Sequence, residues 1–322
     1  MGTGTVASEH MVAAIRSIGH SPLWVVSKSR QDAAAFAGDL DIPKSTTELA
    51  RVLQDPAVAF SYVSARLSRR PRYISAAASA RKHILCDGPI AATSKTAAAM
   101  VDACRAAGVR LAVNQPFRAS TIHQTMRRLI ADGEVGNVQS VLVVRGGPYH
   151  PPSHRRAQDP DHSDKIYLSV SVDDIDLARF LTCSEPVEVN ALAARTADET
   201  SQLTYSFRLA NGAIFQAHES FRTSELDSLV LVAGDRGTLL ANGTLNARSN
   251  GTLVRKVGGR NELAPLRERD PHVATASDFV DAQSQASSWL AMGEDSVLAL
   301  RATEALAMAI RKRRSVTIDG GG

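Results

Sequence analysis

The sequence predicts two folds in succession, an α/β domain with a doubly wound parallel sheet and then an α+β domain with an open, mainly antiparallel sheet. Three observations carry this prediction. Gly2, Gly4 and Ala7 form a glycine-rich turn, residues up to 118 alternate short apolar runs with helical patterns, and residues 187–257 contain successive strand-like runs. We therefore expect domains 1–118 and 119–322, with the C-terminal helices packing back on the first domain.

The first domain is predicted from apolar runs that are continuous rather than alternating, which is typical of parallel strands buried on both faces. The runs that predict strands are 23–26, 60–64, 83–86 and 110–113. The patterns that predict helices are 8–18, 30–38, a segment opening at Thr46, 71–80 and 94–107. This alternation indicates crossover helices between neighbouring strands.

The second domain combines helices with a longer series of strands. Helices are predicted at 121–131, 172–181, 274–282 and 296–311. Strands are predicted at 138–145, 187–195, 202–209, 213–220, 229–233 and 237–241, with a Pro-, His- and Arg-rich loop at 146–163. Asn211-Gly212 predicts a hairpin with a type I′ turn, because that turn needs two residues at positive φ.

Composition narrows the function classes. The 322 residues are 44% hydrophobic and carry a net charge of +4, with dispersed arginines and no nucleic-acid reader motif, so a small-molecule partner is expected rather than nucleic acid. The three cysteines have no metal-ligand spacing, and we expect no metal. We expect a cytoplasmic protein without membrane contact, because no signal-peptide pattern and no apolar run near ~20 residues occurs. The open sheet predicts a homodimer or homotetramer.

The N-terminal turn fits the dinucleotide pattern G-x-G-x-x-A. In that pattern Gly2 allows a tight turn, Gly4 lets the backbone approach a pyrophosphate, and Ala7 lets the helix pack on the sheet, with Thr5 inside the turn. The following helix would direct its positive dipole end at the phosphates.

The first strand of such a sheet is truncated, because only Met1 precedes the turn. That strand is central in a doubly wound sheet, and its absence leaves facing strand edges unpaired. Two explanations stay open at this point. Either the native start lies a few residues upstream of Met1, or the chain has given up the dinucleotide site and repacked its centre.

The sequence resembles the Gfo/Idh/MocA oxidoreductases over nearly its whole length. Besides the glycine turn, the resemblance depends on residues 83–91 (HILCDGPIA), 172–181 (VDDIDLARFL) and 232–238 (VAGDRGT). It implies an N-terminal Rossmann domain, a C-terminal domain whose open sheet often forms the oligomer interface, NAD(P), and sugar- or cyclitol-like substrates.

The cofactor choice depends on the end of the second strand of this fold. Ser27, Lys28 and Arg30 stand where an NAD site usually places an acid for the ribose 2′-hydroxyl, so the two cations favour NADP over NAD. The alternatives are solvated loop charges and no bound cofactor. The resemblance places three further residues beside the cofactor: Ser64, Pro89 and Asn114.

The resemblance is incomplete at the positions where the family carries its catalytic residues. The family's Glu-Lys-Pro is Asp87-Gly88-Pro89 here, and its Asp and its general acid/base His are Ser169 and Asp173. The candidate catalytic residues are therefore Asp173 and the family-matching Asp176, with Lys165 and Tyr167 as replacement proton donors. The alternative is that Asp173 and the adjacent Asp174 are solvated carboxylates at a helix start.

Substrate contacts are expected from Arg118 and from the 146–163 loop. His150, His154 and Arg155 have the composition of an anion-binding loop, with a solvated loop as the alternative. The function predicted is an NAD(P)-dependent oxidoreductase of a small polyol or sugar-derived carbonyl compound with a non-standard proton relay. The alternatives are a cofactor-independent lyase, isomerase or cyclase, and a non-catalytic binding protein.

Overall fold

The computed structural model describes residues 1–147, 166–196, 199–223, 225–245, 251–267, 269–281 and 289–318. The chain divides into two compact units. The first contains Met1–Ala119 and Asp270–Leu298, and the second contains Ser120–Arg269 and Ala299–Gly322. A C-terminal stretch of the sequence thus lies in the first unit.

The helices and strands are numbered in chain order. The helices are α1 (Val12–Ser17), α2 (Arg30–Asp39), α3 (Leu49–Leu53), α4 (Arg70–Ser79), α5 (Ser94–Ala106), α6 (Pro116–Ala119), α7 (Thr121–Ala131), α8 (Val172–Thr182), α9 (Pro271–Asp281) and α10 (Gly293–Lys312). The strands are β1 (Trp24–Val26), β2 (Lys44–Thr46), β3 (Phe60–Val63), β4 (His83–Asp87), β5 (Leu111–Asn114), β6 (Val138–Gly146), β7 (Pro186–Thr196), β8 (Glu199–Leu209), β9 (Ile214–Ser220), β10 (Leu229–Gly234), β11 (Gly237–Asn242), β12 (Thr252–Val257), β13 (Arg260–Leu263), β14 (Ala291–Met292) and β15 (Val316–Thr317). Within the described ranges, each helix is too short or too polar to cross a membrane.

The first unit has the Rossmann-type α/β architecture that the sequence predicts. Strands β3, β4 and β5 are parallel neighbours, β14 adds an antiparallel edge beside β5, and β1 pairs in parallel with β2. One face is packed by a cluster that includes Met11, Ile15, Leu85 and Phe279, so helix α9 shares the core of this unit. Burial of these side chains supplies the main stabilisation of the sheet.

Two local predictions in the first unit differ from the structure. The helix expected to open at Thr46 begins at Leu49, because Lys44–Thr46 forms strand β2. The segment is polar and mostly exposed, so it lacks the apolar signal that identifies the other strands. The expected 8–18 helix begins with a π-helical turn, Ala7–Met11, before α1.

The second unit is built on one sheet with the order β13-β12-β11-β10-β6-β9-β8-β7-β15. Only the β6–β9 pair is parallel among the neighbours described, so the sheet is mainly antiparallel, as the sequence predicts. Strands β12 and β13 extend it beyond the runs singled out in the sequence.

The hairpin between β8 and β9 is confirmed, but its predicted turn type is wrong. Gly212 has φ +88°, whereas Asn211 is absent from the residues with positive φ, and a type I′ turn requires both. The Gly212 N–H donates to the Leu209 carbonyl at 2.9 Å, and the Leu209 N–H donates to the Ala213 carbonyl at 2.9 Å. This pattern fits a three-residue loop with glycine at its last position.

Three aromatic rings form the centre of the second unit. Tyr205, Phe207 and Phe215 are fully buried, and the Phe207 and Phe215 ring centroids stack 5.8 Å apart. The Tyr205 ring meets both of the others edge-on. The neighbouring strands β8 and β9 are therefore joined by the packing of these side chains as well as by their backbone hydrogen bonds.

Phe215→Ala should lower the free energy of unfolding by about 3–5 kcal/mol, because it leaves a cavity in this aromatic centre. Gln216→Ala is the matched control, since Gln216 is the next residue on β9 and is exposed, and it should change the value by less than about 0.5 kcal/mol. Urea unfolding of both variants measures the difference. Equal effects would contradict the placement of Phe215.

Candidate functional site

Polar side chains gather at the carboxyl ends of the parallel strands of the first unit. Ser27 follows β1, Ser64 follows β3, and Asp87 and Asn114 end β4 and β5. Asp87 and Asn114 are register partners, so their side chains lie side by side. Carboxyl ends of open parallel sheets are where such folds bind ligands.

Asp87 ties three strand ends together. Its Oδ2 accepts a hydrogen bond from the Ser64 hydroxyl at 2.6 Å, and its Oδ1 accepts from the Asn114 amide at 3.3 Å and from the Tyr62 hydroxyl. The carboxylate is only 7% exposed, so these donors replace the water it has lost. Burial and the nearby carboxylate raise the pKa of Tyr62 well above its ordinary value, which keeps that hydroxyl a donor.

A histidine from the returning segment joins this cluster. His272 on α9 lies with Nδ1 3.4 Å from the Asn114 amide nitrogen, and its ring stacks on His10 with centroids 4.7 Å apart. Burial, followed by the neighbouring His10, lowers the pKa of His272, so its ring is neutral at neutral pH. The Asn114 Oδ1 is buried and has no hydrogen-bond partner in the described part of the chain.

The glycine turn runs against the end of β3. The Gly4 N–H donates to the Ser64 carbonyl at 3.0 Å, and a Cβ at Gly4 would lie 2.3 Å from the Ser64 hydroxyl oxygen. Gly2 has φ +88°, and a Cβ there would lie 2.2 Å from the Ser64 carbonyl. Both positions therefore require glycine for close backbone approach. Ala7 is buried behind the turn, and Thr5 is exposed.

The segment after β1 presents positive charge to solvent. Lys28 and Arg30 are exposed, and Ser27 is buried beside β2, with its N–H 3.3 Å from the Thr46 carbonyl. The Ser29 hydroxyl caps α2 by accepting from the Asp32 N–H at 3.1 Å. The strand end that usually carries an acid in NAD sites thus carries hydroxyls and two exposed cations.

Two further predicted residues lie in the same unit. Pro89 is buried, follows a cis peptide bond from Gly88, and its carbonyl accepts from Arg70, whose Nη1 also donates to the Asp87 carbonyl at 2.6 Å. Arg118 on α6 is 6% exposed and pairs with Asp295, the Nη2 to Oδ1 distance being 3.0 Å. The Arg118 guanidinium is therefore held in a fixed orientation.

The predicted catalytic residues of the second unit lie around the start of α8. Asp173 is partly exposed in the first turn of the helix, and Tyr167 is buried in the π-helical turn that precedes it. Asp176 is 2% exposed and its Oδ1 lies 3.3 Å from the Arg179 guanidinium, so it takes part in a buried ion pair. Lys165, His150, His154 and Arg155 lie outside the described residues.

A buried charged cluster stands next to Asp173. Asp174 is fully buried and pairs with Arg145 of β6, so the interpretation of Asp174 as a solvated carboxylate is wrong. Glu219 of β9 is also fully buried and accepts hydrogen bonds at 2.8 Å from both the Ser171 and the Tyr205 hydroxyls. Burial, together with the Asp174 carboxylate, raises the pKa of Glu219 to about 8.

Sequence reasoning missed several members of these clusters. Tyr62, His10 and His272 gave no signal because they come together only through packing, and His272 is 158 positions from Asn114. Arg145 and Glu219 were missed because they read as ordinary strand residues. For the first-unit cluster, the signal available in the sequence was Asp87, which lies at the end of a buried strand. Within the described ranges no group of side chains suits a metal ion, and Cys86, Cys104 and Cys183 are unpaired.

Comparison with known proteins covers both units. Residues 1–115 match the model of an oxidoreductase family with an NAD-binding Rossmann fold, and residues 123–240 match the GFO/IDH/MocA C-terminal domain. A 1,5-anhydro-D-fructose reductase of Ensifer adhaerens is 30% identical over 330 residues, which cover 100% of this chain and 98% of that protein. An NADP(+) D-xylose 1-dehydrogenase of Haloferax volcanii is 23% identical, covering 99% and 98%.

A solved structure shows the same fold. Aldose-aldose oxidoreductase of Caulobacter crescentus, crystallised with glycerol, superposes with a TM-score of 0.88 at 22% identity and covers 98% of each chain. The likeness therefore spans the α/β unit and the mainly antiparallel unit together.

Glu219→Gln should make stability less dependent on pH. The raised pKa means that the folded state favours the protonated acid, so this contribution is present below the ordinary value of 4.5 and is lost as pH rises to about 8. In that window the wild type should lose up to about 1.4 kcal/mol per pH unit from this group, and the variant should not. Urea unfolding across the window measures the slopes.

Glu262→Gln is the control, because Glu262 is an exposed carboxyl on β13. It should leave the slope of the wild type unchanged. Parallel pH profiles for wild type and Glu219→Gln would contradict the assignment of a protonated Glu219.

Proposed function

The chain belongs to the Gfo/Idh/MocA family of oxidoreductases, and we propose that it is an NADP-dependent reductase of a small sugar-derived or polyol-related carbonyl compound. The observation that carries the proposal is the hydrogen-bonded cluster of Ser64, Asp87 and Asn114 at the ends of the parallel strands. The exposed cations Lys28 and Arg30 lie in the segment that follows Ser27 at the end of β1. The 30% identity to 1,5-anhydro-D-fructose reductase over the full chain supports a carbonyl substrate of this class.

The residues present fit a dinucleotide with a 2′-phosphate. Gly2, Gly4 and Thr5 would hold the pyrophosphate, with Ala7 behind them. The exposed Lys28 and Arg30 would attract the 2′-phosphate, since an arginine at this strand end accommodates it and an acid would repel it. Ser27 would complete the binding of the ribose.

Polar groups of the protein are also placed to bind the nicotinamide end of the dinucleotide. The buried Asn114 Oδ1 has no hydrogen-bond partner within the described ranges, so it is an acceptor suited to a carboxamide N–H. Ser64 and Pro89 would line the same end, and Asp87 would hold Ser64 and Asn114 in place. When bound, the nicotinamide would supply the hydride.

Asp173 is the proposed proton donor to the carbonyl oxygen, because it stands where the family carries its general acid and it is partly exposed. The adjacent Asp174–Arg145 pair holds this helix start in place. Lys165, Tyr167 and Asp176 stay candidates for the same relay. The Asp176 carboxylate already pairs with Arg179, which favours a positioning role for it.

The substrate contacts proposed are Arg118 together with His150, His154 and Arg155. We propose a homodimer or homotetramer, because the sheet of the second unit exposes Leu192, Ile214 and Leu263 by 78%, 39% and 64%. We also propose a cytoplasmic location, because the three cysteines are unpaired and thiols are kept reduced in that compartment.

NADPH should bind at least about tenfold more tightly than NADH, measured by quenching of nicotinamide fluorescence. The double variant Lys28→Ala/Arg30→Ala should weaken NADPH binding by about tenfold or more and change NADH binding by less than about twofold, because charge-assisted contacts to the 2′-phosphate are lost. The control Arg311→Ala/Lys312→Ala removes two exposed charges from the end of α10 and should change neither. Equal or tighter NADH binding would refute the preference.

Asp173→Asn should lower kcat for reduction of 1,5-anhydro-D-fructose by about a hundredfold or more, because general acid catalysis contributes on this scale. NADPH affinity should stay within about twofold of wild type. The rate is followed as loss of NADPH absorbance, with circular dichroism to verify the fold.

Asp132→Asn is the matched control for Asp173→Asn, since it neutralises an exposed acid at the end of α7. It should keep the kcat of wild type. A fully active Asp173→Asn enzyme would remove Asp173 from the proton relay.

A further inference from the structure

The side-chain amide of Asn114 has two neighbours that face the same nitrogen. Its Nδ2 lies 3.3 Å from Oδ1 of Asp87 and 3.4 Å from Nδ1 of His272. A side-chain amide carries two N–H groups on this nitrogen, and the two neighbours use both of them. The amide oxygen is buried and has no hydrogen-bond partner in the described part of the chain. It is therefore the group of this side chain that is left for a ligand.

Asp87 excludes the opposite orientation of the Asn114 amide. Turning the amide over would bring Oδ1 to the place of Nδ2, beside the Asp87 carboxylate, so that two acceptors would face one another. Both side chains are buried, and their repulsion would be only weakly screened. A carboxylate at position 87 thus requires the amide nitrogen on its own side.

His272 fits this orientation in one protonation state. Its Nδ1 accepts a hydrogen bond when the proton of the neutral ring is on Nε2, whereas both nitrogens of an imidazolium are donors. A protonated His272 would direct an N–H at the nitrogen of Asn114 that Asp87 already requires as a donor. One nitrogen cannot satisfy both neighbours, so protonation of His272 would disturb the fixed orientation of the amide oxygen.

The surroundings of His272 favour the neutral ring. The side chain is 6% exposed, and its ring lies nearly parallel to that of His10, with 12° between the planes. Burial and then His10 lower the pKa of His272, whereas Asp270, which accepts from the His272 N–H at 2.8 Å, and Asp87 act in the opposite direction. The resulting shift is downward, so Nδ1 is free of a proton at neutral pH when the proton is on Nε2.

Other charged groups on the elements that pack against α9 have partners of their own. Arg16 on α1 donates to backbone carbonyl groups just after α2, and Arg118 on α6 pairs with Asp295 at 3.0 Å. Glu9, in the π-helical turn, has its Oε2 4.0 Å from the His10 Nε2. Their charges are compensated locally, so the charge of the buried histidine on α9 is set mainly by its own cluster.

We propose that His272 is a positioning residue, which holds the Asn114 amide so that its oxygen accepts a hydrogen bond from the carboxamide N–H of a nicotinamide dinucleotide. His272 acts through the lone pair on Nδ1 and not by contact with the cofactor. The inference rests on the proposed function, because it takes the dinucleotide placed at this edge as the ligand of Asn114. Affinity for the nicotinamide part of the cofactor should then depend on an acceptor at position 272.

The test measures the affinity of the full chain for NADP⁺ and for 2′-phospho-ADP-ribose, which lacks only the nicotinamide, by titration calorimetry. The ratio of the two dissociation constants isolates the nicotinamide and cancels the titration of the 2′-phosphate. His272→Leu should reduce the preference for NADP⁺ by about tenfold, because the Asn114 amide loses an acceptor. His272→Asn, whose oxygen can take the place of Nδ1, should keep the ratio within about threefold of wild type.

His83→Leu is the matched control. The His83 Nδ1 also accepts a hydrogen bond, from the Arg110 N–H at 3.0 Å, but it lies at the start of β4 and not at the end that carries Asp87. This variant should leave the ratio unchanged. A change equal to that of His272→Leu would contradict a specific role for His272.

The pH dependence of the ratio gives a readout that a merely structural role would not move. In the wild type the preference for NADP⁺ should fall by about tenfold as pH is lowered below 6.5, the ordinary pKa of histidine, because protonation removes the acceptor. In His272→Leu the ratio should not change over this range. Nitrogen NMR of the ligand-free protein, with the His272 signals assigned by their loss in His272→Asn, should show a bare Nδ1 and a protonated Nε2 at neutral pH.

A protonated Nδ1 at neutral pH would overturn the role of His272. So would a ratio that is equal in wild type and His272→Leu when both ligands bind, and either result leaves the proposed function standing. If neither ligand binds the wild type, the proposed function fails and this inference fails with it. If His272→Leu does not fold, the wild-type pH profile decides, and a ratio that stays constant below pH 6.5 overturns the proposal.

Discussion

The buried carboxylate of Asp87 is the contact on which the candidate site depends. A carboxylate removed from water is tolerated only when donors surround it. Here Tyr62 of β3, Ser64 directly after β3, and Asn114 of β5 supply those donors. Three strand ends are thereby fixed at one level. The glycine turn then packs on Ser64, and His272 packs on Asn114, so the geometry of the whole edge follows from this cluster.

In the second unit, buried polar contacts likewise hold the candidate proton donor, Asp173, in position. Asp174 directs its carboxylate into the interior to Arg145, whereas the adjacent Asp173 stays partly exposed. Glu219, held by Ser171 and Tyr205, shares this interior and is kept protonated by burial. Arg145 thus faces the Asp174 carboxylate and the neutral Glu219 acid, so the interior is left with no uncompensated buried charge at this cluster. The candidate proton donor, Asp173, therefore lies on a helix whose start is anchored by the neighbouring Asp174.

The sequence predicted those parts of the fold that carry a periodic apolar signal. The buried strands β3, β4 and β5 and helix α7 were predicted closely, whereas β2 was missed because Lys44-Ser45-Thr46 is polar. Asn114 was predicted at the site from the family resemblance. The partners His272 and Arg145 could not be, because packing and not spacing brings them to Asn114 and Asp174.

Transfer of deuterium tests the central claim most directly. The protein is incubated with NADPH that carries deuterium at the reactive ring carbon and with 1,5-anhydro-D-fructose, and the product is examined by mass spectrometry. The account predicts an alcohol that carries deuterium on the former carbonyl carbon. A product without deuterium, or deuterium retained in the cofactor with no reduced product from any of a panel of sugar-derived carbonyl compounds, would contradict hydride transfer by this protein.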